Sequence, residues 1–168
     1  MKLIAIAAVS MDGVIGIGEK IPWHIPEDFK HFRETTMGHT LIMGYNTFKT
    51  LPPKALEGRR YIVLSKNHTN EHESENIVFV DNIDKAMDLL NELNLETVFV
   101  AGGSMVYEAL LGYCDEAIIT WVHETYSDGD KKFPTHILFN DFQYVDETPW
   151  MKSKKNTLYK ITKYKTLV

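Results

Sequence analysis

The chain reads as a single-domain α/β fold of 168 residues: a central mixed sheet, mostly parallel, with an antiparallel C-terminal hairpin at one edge and about four flanking helices. Three features predict it. Leu3–Val9 is a nearly continuous apolar run, as expected of a strand covered on both faces. Short β-branched runs then alternate with helical periodicities as far as His123, the pattern of strands joined by crossover helices. Beyond the turn Asp128-Gly129-Asp130 the alternation stops. Aromatic segments at Phe142–Val145 and Leu158–Tyr164 then read as paired antiparallel strands.

Between these landmarks the elements follow in order. Pro26, Glu27 and Asp28 open a helix, because proline suits a first turn and acids suit its positive end. Phe29, Phe32 and Thr36 continue one face of it. Thr40–Met43 is a short strand, and Asn46–Leu51 a short helix stopped by Pro52 and Pro53. Arg60–Ser65 is the next strand, and the polar stretch Lys66–Asn76 is an exposed loop. Ile77–Val80 is a strand; Ile83–Leu93, apolar at 83, 86, 87, 90 and 93, is an amphipathic helix. Thr97–Ala101 is a strand, Met105–Leu111 a helix and Ala117–His123 a strand. No repeat or linker divides the chain.

Composition narrows the class. A content of 44% hydrophobic and 24% charged residues suits a globular protein, and the 18 Lys and Arg are scattered over a chain of net charge -5. Neither a nucleic-acid nor a membrane partner is expected. The one basic cluster, Lys152–Lys155, reads as a solvated turn beside Asp146 and Glu147. Cys114 is the only cysteine, so no disulfide forms within the chain, and its apolar neighbours make it packing rather than a nucleophile. No apolar window is long enough for a membrane helix. The N-terminal run is too short for a signal peptide and leads straight into the motif region, so a cytoplasmic protein is expected. His68 and His72 are four residues apart in a polar loop without a third ligand, and no metal site is expected.

Candidate chemistry lies in two stretches. In Gly16–Phe32, Asp28 follows a glycine-rich loop and shares a helix face with Phe32, near Phe29. An acid in a first turn often serves only the helix dipole, but aromatic neighbours argue for burial. A buried carboxylate stays neutral unless a hydrogen-bonding or cationic ligand meets it, and a ring edge with two N–H donors would match its oxygens. In Ala101–Tyr107, a strand turns through Gly102 and Gly103 into a helix, exposing backbone N–H groups where a pyrophosphate could lie. Such a pair without the full G-x-G-x-x-G spacing is more often a structural turn. Gly44-Tyr45-Asn46-Thr47 repeats the arrangement, with Thr47 either capping its helix or donating to a phosphate. Both junctions would sit at the carboxyl ends of parallel strands, where open α/β sheets bind ligands. Arg59 could grip an anionic tail or lie on the surface, and Ser65 and Lys66 could hold a further phosphate.

Ile6-Ala7-Ala8, Gly13-Val14-Ile15-Gly16, Pro22-Trp23 with Pro26-Glu27-Asp28, Phe32, and Met43-Gly44 with Thr47 follow in order. Gly58-Arg59, Leu64-Ser65, Gly102-Gly103 with Val106-Tyr107-Glu108, Thr120, Gly129-Asp130 and Phe133-Pro134 continue the series. Order and spacing resemble dihydrofolate reductases over essentially the whole chain. The resemblance implies that fold, a monomer, and hydride transfer from NADPH to the pterin ring of dihydrofolate, with antifolate inhibitors as further ligands. It implies that Asp28 binds the pterin's amino group and ring nitrogen, that Thr120 supports it, and that Trp23 positions a water. Ile6, Ala7 and Ala8 would line the pterin pocket and Phe32 would pack on the ring, with Phe29, Ala101 and Tyr107 in the same pocket. Thr50 and Leu56 would line the benzoyl groove, and Arg59 would pair with the glutamate α-carboxylate. Ala8, Ile15 and Gly16 would meet the nicotinamide. Gly102, Gly103, Ser104, Met105 and Val106 would form the pyrophosphate turn around a cis Gly–Gly bond, and Thr47 would bind phosphate. Gly44, Tyr45, Asn46, Leu64, Ser65, Lys66 and Tyr107 would complete the cofactor site. Residues Ser10–Trp23 would be a mobile loop braced by Ser127–Lys132.

Three positions depart from the family pattern. Tyr45 stands where a basic residue usually meets the cofactor phosphates, which leaves Ser65 and Lys66 for the 2′-phosphate. Ala101 replaces a larger aliphatic and should widen the pocket, weakening diaminopyrimidine inhibitors. Ser104 replaces a third glycine and should be tolerated if it caps the helix. A pyrimidine reductase of riboflavin synthesis shares the architecture, but Trp23 and Asp28 with Phe32 and Arg59 favour folate. A non-catalytic nucleotide-binding module would be expected to have lost Asp28 or the glycine pair.

Overall fold

A computed structural model describes residues 1–67 and 74–168; His68 and His72 lie outside the described residues. In chain order the elements are β1 (Lys2–Ser10), β2 (Val14–Gly16), α1 (Pro26–Thr36), β3 (Thr40–Gly44), α2 (Tyr45–Phe48) and β4 (Arg60–Leu64). There follow β5 (Ile77–Val80), α3 (Ile83–Leu93), β6 (Thr97–Val100), α4 (Ser104–Leu110) and β7 (Glu116–Val122). The chain ends with β8 (Lys131–Lys132), α5 (Thr135–Asp141), β9 (Phe142–Glu147), β10 (Met151–Lys152) and β11 (Leu158–Thr166).

The main sheet runs β10-β11-β7-β1-β6-β3-β4-β5, with β9 also paired to β11. Strands β1 and β3 to β7 are mutually parallel, whereas β11 runs antiparallel to β7, β9 and β10. The mixed sheet and its antiparallel C-terminal end are therefore as the sequence predicts. The period of two in each strand splits the core into two layers. Leu3, Ala5, Ala7 and Val9 of β1 join Val98, Val100, Ala117 and Ile119 on one face with Leu110 and Leu138. Ile4 and Ile6 join Leu41, Met43, Val63, Phe99 and Ala101 on the other, where Phe32 packs. Apolar residues on both faces explain why β1 reads as an uninterrupted hydrophobic run.

Two features escape the pattern. Among the described residues there are five α-helices rather than four, because α5 is a single short segment following Pro134 that buries only Leu138. Its Phe139 ring stacks on Trp121 at 5.9 Å, so packing rather than periodicity holds it. The two-stranded ribbon β2–β8 is equally short. The second helix starts and ends early, at Tyr45–Phe48, and Thr50 and Leu51 are tied back to Thr47 and Phe48 in tight turns before Pro52. Cys114 is buried as expected, its thiol pushed up to about 12 by burial. Lys152 ends β10, and Lys154 and Lys155 form the turn after it, in which the backbone N–H of Lys154 donates to Glu27 at the start of α1.

Parallel strands place their carboxyl ends along one edge. Ala8, Gly44, Leu64, Ala101 and Thr120 all lie at that edge, on strands that are neighbours in the sheet. The topology, not the sequence spacing, brings them together.

Candidate active site

Asp28 enters the site from α1. Pro26 occupies the first turn, where its missing N–H costs nothing, and Glu27 and Asp28 meet the helix's positive end without a side-chain cap from Ile25. Opposite it, Thr120 near the end of β7 donates its hydroxyl to Asp28 Oδ1 at 2.6 Å. Oδ2 accepts no hydrogen bond among the described residues. Burial pushes the Asp28 carboxyl above the usual carboxylate range, against the Thr120 hydrogen bond and the charge of His31, which pull it down. Phe32, four residues on along α1, packs half-buried against the core layer that holds the buried Ile6 and Ala101. Trp23 packs against the small cluster of Ile25, Val122 and Tyr159, and its ring lies 5.7 Å from Tyr126. Phe29 is 42% exposed and borders the site rather than lining its depth.

The two glycine junctions are adjacent and bonded to each other. The N–H of Gly44 donates to the Gly102 carbonyl at 2.8 Å, and that of Ala101 to the Ile42 carbonyl at 3.0 Å. The Gly102–Gly103 peptide is cis, and Gly102 has φ +106°, a backbone state that side chains oppose. A Cβ at Gly103 would sit 3.3 Å from Thr47 Oγ1, and one at Gly102 3.3 Å from the Tyr107 ring. This bare backbone beside a threonine hydroxyl is a cradle for an anionic group, and added carbons would fill it. Tyr107 is fixed beneath by donating to the Ile6 carbonyl at 2.6 Å, and burial raises its phenol further. Ser104 is the first residue of α4 and Gly103 holds the cap position, so the condition set for Ser104, that it cap the helix, is not met. Met105 is 85% exposed, whereas Val106 is buried.

Residues 2–166 match the sequence model of the family described as dihydrofolate reductase. The chain is 36% identical over 162 residues to dihydrofolate reductase type 9 of Escherichia coli, covering 94% of this chain and 89% of that one. It is 32% identical over 158 residues to dihydrofolate reductase of Staphylococcus aureus strain MSSA476, covering 94% and 93%. Its fold matches that of dihydrofolate reductase from Enterococcus faecalis complexed with NADP(H) and RAB-propyl, with a TM-score of 0.84 and 31% identity over 99% of this chain and 97% of that one. The chain belongs to the dihydrofolate reductase family. Its reaction is the NADPH-dependent reduction of dihydrofolate to tetrahydrofolate, a step of one-carbon metabolism and the target of antifolates.

Within this reductase, the loop after β1 is tied down by partners that sequence reasoning missed. Ser10 Oγ donates to Asp12, and Asp12 Oδ2 accepts from the Tyr126 backbone N–H at 2.9 Å. Asp130 Oδ1 accepts from the Gly18 N–H at 2.7 Å, and the Phe133 N–H reaches the Gly13 carbonyl at 2.9 Å. These hydrogen bonds lower both carboxyls, Asp12 through Ser10 first and Asp130 through Gly18 first. Asp128-Gly129-Asp130 reads in the sequence only as a turn, and its bracing role follows from the resemblance; nothing in the sequence signals the role of Asp12. Ile15 packs against the α4-side layer of the core, and Gly16 is closed in by Lys131.

The remaining predicted residues fall on the same edge with varied surroundings. Ala7 faces the opposite core layer from Ile6, so of the two only Ile6 directs its side chain to the layer that holds Phe32. Ala8 is partly buried and pairs with Thr120 across the sheet. Arg59 is buried and largely committed: Nε donates to Thr36 Oγ1, Nη1 to the Ala55 and Glu57 carbonyls, and Nη2 to the Arg33 carbonyl at 2.7 Å. One of a guanidinium's five N–H groups remains for a carboxylate. Leu56 packs in the Phe32 layer, while Thr50 is exposed and donates to the Thr47 carbonyl. Leu64 is partly buried at the end of β4, Ser65 and the exposed Lys66 follow it, and Asn46 is exposed. The Tyr45 ring lies 6.4 Å from Phe79 with Lys49 Nζ 6.0 Å above it, so a cation stands close to the position that lacks one. Among the described residues, no cluster of three His, Cys, Asp or Glu could hold a metal.

Burial of Asp28 carries a pH signature. Its folded-state pKa lies above the unfolded value, so the folded protein is relatively favoured below the ordinary carboxylate pKa and loses that advantage as pH rises through the raised value. Asp28→Asn should therefore melt higher than wild type at pH 7, by about 2–4 °C, with the gain vanishing near pH 3. Thermal melts across pH check this; no gain at pH 7 would contradict a destabilising carboxylate.

Proposed function

We propose that the whole chain is a single dihydrofolate reductase domain in which Asp28 is the acid that holds the pterin. The observation that carries this is the half-buried Asp28 carboxylate, one oxygen held by Thr120 and the other without a hydrogen bond. Two N–H donors on one ring edge would give each oxygen a charge-assisted partner and repay its desolvation. Thr120 fixes the carboxylate's rotamer, Phe32 and Ile6 give the ring an apolar bed, and Ala101 leaves space beside it. Trp23 with Tyr126 walls the entrance and positions a water near the ring. The proton for the reduced imine arrives through that water, since Asp28 is occupied by the ring edge, and Asp28 polarises the pterin.

The cofactor residues fit NADPH at the glycine junctions: Gly44, Gly102, Gly103 and Thr47 form the phosphate cradle, and Ala8, Ile15 and Gly16 flank the nicotinamide. NADPH, when bound, supplies the hydride. Ser65 and Lys66 serve the 2′-phosphate, helped by Lys49 over Tyr45. The last N–H of Arg59 meets the substrate's carboxylate tail, which makes Arg59 a clamp built mainly for shape. A monomer in the cytoplasm without a nucleic-acid partner suits the net charge of -5 and the scattered bases. No helix among the described residues is long and apolar enough to cross a membrane.

NADPH oxidation by dihydrofolate, followed at 340 nm, should be robust in wild type and fall by about a hundredfold or more in kcat/KM for Asp28→Asn. Turnover that survives the change would remove Asp28 from its role. Ala101→Ile should tighten trimethoprim binding by about tenfold through added apolar contact; unchanged or weaker binding would show that Ala101 does not set the pocket's width.

A further inference from the structure

The loop between β1 and α1 makes a contact to α2 that the chemistry of Asp28 and the glycine cradle does not call for. The loop's tip is a tight turn closed by two hydrogen bonds, Ile17 N–H to the Lys20 carbonyl at 2.8 Å and Lys20 N–H to the Ile17 carbonyl at 3.1 Å. Two neighbouring residues of this tip bind different elements. The Gly18 N–H donates to Asp130 Oδ1 at 2.7 Å, just before β8. The Glu19 carboxylate accepts from Lys49 Nζ at 3.3 Å, at the end of α2. Lys49 is held in turn: its backbone N–H donates to the Tyr45 carbonyl at 2.9 Å, and its Nζ stands 6.0 Å over the Tyr45 ring. It lies two residues beyond Thr47, whose hydroxyl borders the bare backbone of Gly103. The ion pair therefore joins the loop to the helix that forms one wall of the cradle.

We infer that Glu19 and Lys49 are positioning residues for the cofactor: their ion pair latches the loop tip onto α2, and breaking it lets bound NADPH leave faster. The inference rests on NADPH occupying the glycine junctions. A single anchor at Gly18 leaves the tip free to pivot about it, whereas a second anchor on another element does not. The side chains of Lys49 and Glu19 are 41% and 73% exposed, so the pair has the modest strength of a surface ion pair. Modest strength suffices, because loops open at little cost in free energy and small differences shift their populations. It also keeps the latch reversible, as ligand entry and release require. Attraction of Lys49 for the cofactor's phosphates is a separate effect and gives Glu19 the opposite sign. Were that the whole role of Lys49, removing the charge of Glu19 would free the ammonium for phosphate and slow release.

Displacement of NADPH from its binary complex by excess NADP+, followed by nicotinamide fluorescence in a stopped-flow instrument, tests the latch. Glu19→Gln should speed release by about two- to fivefold, and Lys49→Gln by at least as much. The double variant should be no faster than Lys49→Gln alone, the non-additivity expected of one shared contact. In apo protein, amide exchange at Gly18 and Lys20 should quicken in Glu19→Gln, a readout that needs no cofactor. Unchanged or slower release from Glu19→Gln, additive effects of the two changes, or unaltered exchange at Gly18 and Lys20 would overturn the inference. If exchange quickens but NADPH binds neither wild type nor variant, the tie between loop and α2 stands and the reading of the glycine junctions falls.

Discussion

The hydrogen bond from Thr120 to Asp28 joins the two halves on which the site depends. It connects the first turn of α1, set by Pro26, to the carboxyl end of β7, and it holds a carboxylate in a place where water cannot solvate it well. Left alone, such a group is a cost to the fold. The cost becomes useful when a ligand brings the N–H donors that water no longer supplies, because binding then relieves what folding imposed. On the role proposed for Asp28, affinity and specificity for a ring edge would have one source. The apolar bed of Ile6, Phe32 and Ala101 contributes by keeping competing water away.

Everything else at the site follows from parallel strands ending at one edge. Neighbouring strands β3 and β6 both pass into helices through glycine, so their junctions lie side by side and bond to each other through Gly44 and Gly102. The backbone is bare there, and a side chain at Gly103 or Gly102 would crowd Thr47 or the Tyr107 ring, with Gly102 also held at φ +106°. Asp12 and Asp130 then pin the loop after β1 across this edge, using backbone N–H groups as handles. Strand β1 lies between β7, which carries Thr120, and β6, which leads into the glycine pair, so the proposed substrate and cofactor sites would share one edge.

How much of this the sequence discloses depends on the range of the interaction. Strand β1 was legible because burial on both faces leaves an unbroken apolar run. Helix α1 and the glycine junctions were legible because proline, acids and glycine punctuate the chain locally. Helix α5 was not: seven residues with one buried leucine give no period to detect. Arg59 invited a ligand role on its chemistry, yet its donors are mostly spent on Thr36, Arg33, Ala55 and Glu57, contacts set by how α1 meets the turn before β4. The same holds for Asp12 with Tyr126 and for the two faces of Ile6 and Ala7, which only the sheet register separates. Whether Ser104 caps its helix was a matter of one residue's register, and the chain places Gly103 at the cap.

The most direct test is whether a ligand's arrival makes Asp28 a stable anion against a cationic ring. Calorimetry of trimethoprim binding, repeated in buffers of different ionisation enthalpy above the free inhibitor's own pKa, counts the protons taken up. The account predicts uptake approaching one proton for wild type and none for Asp28→Asn, with a large loss of affinity in the variant. Equal uptake by both proteins would contradict it, because the ring's positive charge would then owe nothing to the buried carboxylate.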